Sequence, residues 1–72
     1  MKTMQCKGFR ISERKDGTYS ITLKDWNRTY RTVCANFNDA GAWVWEMADN
    51  NDHARAVNHR MCEVFGKQFF DY

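Results

Sequence analysis

From Phe9 to Glu13 the apolar residues Phe9 and Ile11 alternate with Arg10 and Ser12, the two-residue period of a strand that buries one face. Lys15-Asp16-Gly17 follows. Asp-Gly between alternating segments predicts a hairpin, because the tight turn needs positive φ and Gly supplies it without steric cost. Across residues 18–24 the alternation is clearest, with Tyr19, Ile21 and Leu23 on one face and Thr18, Ser20, Thr22 and Lys24 on the other. Asp25-Trp26-Asn27-Arg28 reads as a second turn, polar except for Trp26, and leads to a third strand over residues 29–35. There Arg31, Val33 and Ala35 share one face and Tyr30, Thr32 and Cys34 the other; Val33 and Ala35 are read as the inward pair.

After Phe37 the period changes. Asn38 or Asp39 can cap a new helix, and Ala40, Trp43, Val44 and Met47 recur at helical spacing as one apolar stripe. Asp49-Asn50-Asn51-Asp52 interrupts it with four poor helix formers. A second helix capped by Asn51 or Asp52 carries Ala54, Val57, Met61, Val64 and Phe65, with Gly66 as its stop. The two stripes stay roughly in register, so one long bent helix is an alternative reading of the pattern. The apolar tail Phe69-Phe70-Asp71-Tyr72 is expected to pack on the core or on another chain. The fold class is therefore α+β: a three-stranded antiparallel β-meander (8–37) packed against a C-terminal helix, bent or split in two (38–66), in a single domain spanning 1–72.

Composition agrees with a folded chain, since 43% hydrophobic and 15% aromatic residues supply the apolar area that offsets ordering entropy. At 72 residues there is room for one core, and the absence of repeats or linkers fits a whole small protein. Cys6, Cys34 and Cys62 lie far apart with no basic-then-apolar leader before them, so reduced thiols and a cytoplasmic location are expected. No apolar run approaches the roughly 20 residues needed to span a bilayer, so no membrane partner is expected. Net charge is only +2, yet it is unevenly spread: up to Arg31 there are eight basic and three acidic residues, and beyond it three basic and six acidic. A basic sheet and an acidic helical side follow.

Few residues carry chemistry. Cys6, Cys34, Cys62, His53 and His59 are enough ligands for a metal, but no Cys-x-x-Cys pair exists and only His59 and Cys62 stand one helical turn apart. His59 with Cys62 or Glu63 is the only adjacent nucleophile-and-base set, and the four glycines form no phosphate loop. Neither catalysis nor a metal or other cofactor is expected. The outward sheet face is more informative: Arg10, Ser12, Arg14, Thr18, Ser20, Thr22 and Lys24, joined by Tyr30 and Thr32, mix long cations with small hydroxyls that suit phosphates and base edges. Any one-sided antiparallel sheet also has a polar face rich in Thr and Lys, so this pattern alone leaves both readings level.

The run Asp16-Gly17-Thr18-Tyr19-Ser20-Ile21-Thr22-Leu23, then Arg28-Thr29-Tyr30-Arg31-Thr32-Val33, then Phe37-Asn38-Asp39-Ala40 and Trp43 resembles the N-terminal arm-binding domain of phage and transposon tyrosine recombinases and the related AP2-like phage DNA-binding domains. The resemblance covers roughly residues 8–47. In that family the exposed sheet face lies in the DNA major groove. By position it implies contacts from Arg10, Arg14, Ser20, Thr22, Lys24, Arg28 and Arg31. The sequence departs from the family in that the helix start lacks the usual Lys and Glu residues, the helical part is acidic and a second helical segment is added. With no recombinase catalytic domain following, a stand-alone accessory or regulatory protein is expected, or a domain that has kept the fold and lost the DNA.

The expected function is that of a small phage or mobile-element accessory protein that binds duplex DNA through the basic sheet face. The alternative is a protein-binding inhibitor or modulator of a host defence or nucleic-acid enzyme, with Trp26, Trp45, Phe69 and Phe70 as contact residues. A homodimer formed through the tail is a third role.

Overall fold

The computed structural model describes residues 2–69. Along the chain run β1 (Thr3–Cys6), β2 (Phe9–Glu13), β3 (Tyr19–Lys24), β4 (Thr29–Cys34), α1 (Phe37–Met47) and α2 (Asn51–Phe65). The strands form one antiparallel sheet in the order β1-β2-β3-β4, and both helices cover one face of it. The α+β class holds, but the sheet has four strands where the sequence pattern predicted three. The extra strand is β1, only four residues long. It is tied to β2 through Lys7-Gly8, both at positive φ (48° and 88°), the two-residue turn whose twist matches an antiparallel pair. Lys is an unusual choice for such a position. His53, at the start of α2, donates from Nε2 to the Lys7 carbonyl at 3.2 Å and so holds the turn from the helix side.

Register decides which face is inward. Met4, Ile11 and Ile21 lie opposite one another across β1, β2 and β3, and all are buried. With Phe9, Tyr19 and Cys34 they meet Phe37, Ala40 and Val44 of α1 and Val57, Met61 and Phe65 of α2 in a core that draws on every element. Each such large side chain contributes about 1.5–3 kcal/mol relative to exposure. In β4 the expected orientation is reversed. Tyr19 pairs with Cys34, Ile21 with Thr32 and Leu23 with Tyr30, so those partners face the helices, while Val33 is 55% exposed and Ala35 is also exposed. The four-residue turn 25–28, closed by the Asp25 N–H donating to the Arg28 carbonyl at 2.9 Å, sets this register. A slip of one residue would turn every β4 side chain over, and the inward row across three strands outweighs one valine.

Both caps lie earlier than expected, that of α1 by two or three residues and that of α2 by one or two. Asn36, not Asn38 or Asp39, caps α1 by accepting the Asp39 N–H at 2.8 Å. Asn50, not Asn51 or Asp52, caps α2 by accepting the His53 N–H at 2.8 Å. The earlier start makes Phe37 the first helical residue and brings its ring against Tyr19 and Phe65. The helix is split, not bent: Ala48 is extended (φ −72°, ψ 152°) and ends α1. Gly66 ends α2 in the left-handed region (φ 67°, ψ 30°), as its position predicts.

Past Gly66 the chain returns across the core. Lys67 Nζ lies 3.3 Å from a Glu13 carboxylate oxygen that also accepts the Tyr19 hydroxyl at 2.6 Å, and Phe69 stacks on Phe37 with centroids 4.4 Å apart. The start of the tail therefore packs on the core; Phe70, Asp71 and Tyr72 lie outside the described residues. Among the described residues no helix is long and apolar enough to cross a membrane.

Candidate nucleic-acid interface

Strand alternation and register together place the outward side chains in rows that cross the sheet. Gln5, Arg10, Thr22 and Arg31 form one row, Thr3, Ser12, Ser20 and Val33 the row beside it, and Lys24 and Thr29 the row on the other side. Arg10 and Arg31 stand two strand spacings apart, about 10 Å, with Thr22 between them. Arg10, Lys24 and Arg31 are exposed, and no strand position on this face carries an acid.

The acids are elsewhere. Asp49, between the helices, faces His53, and on α2 Asp52 faces Arg55 and Glu63 faces both His59 and Arg60, at 3.5–3.9 Å. Such short-range pairs near the surface contribute little to stability, but they occupy these acids locally. Glu13 is held below the usual carboxylate range, first by the Tyr19 hydroxyl and then by Lys67. Asp16, in the β2–β3 turn, is likewise lowered by the Thr18 hydroxyl and N–H. Among the described residues Arg10, Lys24 and Arg31 enter no ion pair, so the outward face keeps its positive charge.

The seven expected contacts separate into two groups. Arg10, Ser20, Thr22, Lys24 and Arg31 share the outward face in adjacent rows. Arg31 joins them because β4 is turned over relative to the expected orientation, and for the same reason Tyr30 and Thr32 do not. Arg14 and Arg28 lie outside the ladder at opposite ends of the sheet. Arg14 borders a recess with Glu13, Phe65 and Lys67, and Arg28 lies against Tyr30, whose hydroxyl raises its pKa. Thr3 and Gln5, whose alternation around Met4 was the available signal, extend the face onto β1, where Thr3 Oγ1 and Ser12 Oγ are 3.1 Å apart.

The aromatic contact candidates also divide. Trp26 is 95% exposed at the tip of the β3–β4 hairpin and does not fold back on the core. Trp43 packs edge-on against Phe9 and belongs to the interior edge. Trp45 is 42% exposed and lines an apolar groove of about 540 Å³ with Gly41, Ala42, Asn58 and Phe69. Among the described residues no three His, Cys, Asp or Glu side chains come together in a way that could hold a metal ion. Comparison with protein-family models, with curated proteins and with solved structures finds no match to this chain.

Proposed function

We propose that this chain is a small accessory protein that binds duplex DNA with the outward face of its sheet, in the manner of the phage and mobile-element domains it resembles. The observation that carries this reading is the Arg10-Thr22-Arg31 row, flanked by Lys24 and Ser20, on a face without a strand acid. The arginines neutralise phosphates or read guanine edges, and the hydroxyls donate to backbone oxygens. Strands β2 to β4 span about 10 Å, which a major groove roughly 12 Å wide accommodates. Thr3 and Gln5 on β1 then stand over the phosphate backbone.

Binding of mixed-sequence duplex DNA, compared at roughly 50 and 200 mM salt, tests the proposal. Tight, salt-sensitive binding is expected. Arg10→Ala with Arg31→Ala is expected to weaken it and to flatten the log-log salt slope by about 1.8. Arg10→Ala with Lys24→Ala should act similarly, and unchanged affinity in both double variants would remove the sheet face from consideration.

A second reading, the protein-binding inhibitor, is favoured by one observation: Trp45 stands at the rim of an open apolar groove on the acidic helical side. It predicts that Trp45→Ala abolishes capture of a host protein without unfolding the chain, and capture at the wild-type level counts against it.

A further inference from the structure

The turn that carries Trp26 is held in place although its largest side chain touches almost nothing. The Asp25 N–H donates to the Arg28 carbonyl at 2.9 Å, which closes the loop, and Asp25 Oδ1 accepts the Trp26 N–H at 2.8 Å. A carboxylate is thus used to fix the backbone of a residue whose indole is 95% exposed. A large, rigid aromatic surface presented this way is characteristic of a contact residue. Its surroundings indicate the kind of partner. The loop begins one residue beyond Lys24↔Thr29, the last rung of the ladder, and Lys24 belongs to the outward face beside the Arg10-Thr22-Arg31 row. Arg28 closes the loop with its side chain against Tyr30, so Lys24 is the cation next to the loop on the outward face, and Asp25, the one acid of the turn, is engaged within it.

We propose that Trp26 is a base-stacking contact and that the preferred ligand is duplex DNA containing an unpaired base, not a continuous duplex; this rests on the DNA reading above. With the sheet over the groove and Lys24 on phosphate, the hairpin tip presents a flat aromatic face. In a continuous duplex both faces of every base are already covered by neighbours. Prising a paired step open costs more than one indole–base stack returns, unless the bend brings extra contacts. An unpaired base has that cost already met, and stacking it on an aromatic is worth roughly 5- to 150-fold in affinity. The tip therefore discriminates by base-pairing state, while the sheet supplies binding common to both ligands.

The test compares a mixed-sequence duplex with the same duplex carrying one extrahelical adenine, for the wild type, Trp26→Ala and Trp26→Phe at one fixed salt concentration. The wild type is expected to prefer the bulged duplex by roughly tenfold or more. Trp26→Ala should keep its affinity for the continuous duplex within about threefold and lose the preference, and Trp26→Phe should retain part of it. Far-UV circular dichroism of each variant establishes that the exposed substitution leaves the fold intact. Equal wild-type affinity for the two duplexes, or a preference that survives in Trp26→Ala, overturns this assignment and leaves the sheet proposal standing. Binding to neither duplex removes both.

Discussion

Phe69 occupies the place on α1 that Gly41 leaves bare: a Cβ at position 41 would collide with Phe69 Cε1 and stand 2.7 Å from its Cζ. Gly inside a helix costs about 1 kcal/mol relative to Ala, and here the loss is offset by letting the ring lie flat on Phe37. The two positions should be strongly coupled. In a Phe69→Ala background, Gly41→Ala is expected to stabilise by about 1 kcal/mol, the plain helix-propensity gain. In the wild type the same change displaces the ring and is expected to be neutral or destabilising. Urea unfolding of the four proteins in the cycle measures the coupling, and additive effects would show that the ring is not held at Gly41.

The Tyr19 hydroxyl and Glu13 give the fold a pH dependence with a definite sign. Glu13 has its folded-state pKa depressed, chiefly by the Tyr19 hydrogen bond. It contributes stability that is present above the unfolded carboxylate pKa and lost as pH falls through the folded one. Tyr19 is raised, first by burial and then by Glu13, so its contribution is present below about pH 10 and declines above it. Tyr19→Phe is expected to cost about 1–2 kcal/mol at neutral pH, with the difference from wild type narrowing below about pH 4. Denaturant titrations across that acid range check it; a pH-independent difference would mean that the pair is not coupled in solution.

The helix caps are separable in the same way. Asn36→Ala and Asn50→Ala should each cost about 1 kcal/mol, because each leaves an N–H of the first turn without its acceptor. Asn51→Ala, one residue inside α2, should change stability by no more than about 0.5 kcal/mol. Thermal unfolding ranks the three, and an Asn51→Ala loss as large as that of Asn50→Ala would move the cap to Asn51.

These caps show where the sequence was legible and where it was not. Strands β2 and β3, the two turns that follow them and the stop at Gly66 follow from alternation, Asp-Gly and a terminal glycine, signals contained within a few neighbouring residues. The starts of the helices do not, since Asn36, Asn38 and Asp39, or Asn50, Asn51 and Asp52, all have capping side chains. For α1 the choice is made by burial of Phe37 against Tyr19 and Phe65, which are distant in sequence. β1 was missed because four residues around one buried Met4 carry too little periodicity, and because its turn puts Lys7 at positive φ. The orientation of β4 was misread because Val33 is the more apolar choice locally, whereas Ile21 and Tyr19 across the ladder fix the opposite face. That reversal matters most for the candidate site, since it brings Arg31 into line with Arg10.

Thr22, between those two arginines, is where fold stability and the proposed function oppose each other. Its neighbours in the row are Arg10 on β2 and Arg31 on β4, so a carboxylate there gains two cross-strand cations, each worth about 0.2–1 kcal/mol. Replacing Thr also sacrifices β-propensity, so the informative comparison is Thr22→Glu against Thr22→Gln, which differ in charge and hardly in shape. At low salt the Glu variant is expected to be the more stable of the two by about 0.5–1 kcal/mol, and the advantage should fade in high salt and below about pH 4. DNA affinity should move the other way. The Glu variant halves the net charge of the row and repels phosphate, so it should bind duplex DNA at least tenfold more weakly than the Gln variant at low salt, with the two converging as salt rises. A Glu variant that is both more stable and fully competent for DNA would show that the arginine row shapes the sheet but is not the surface that meets the duplex.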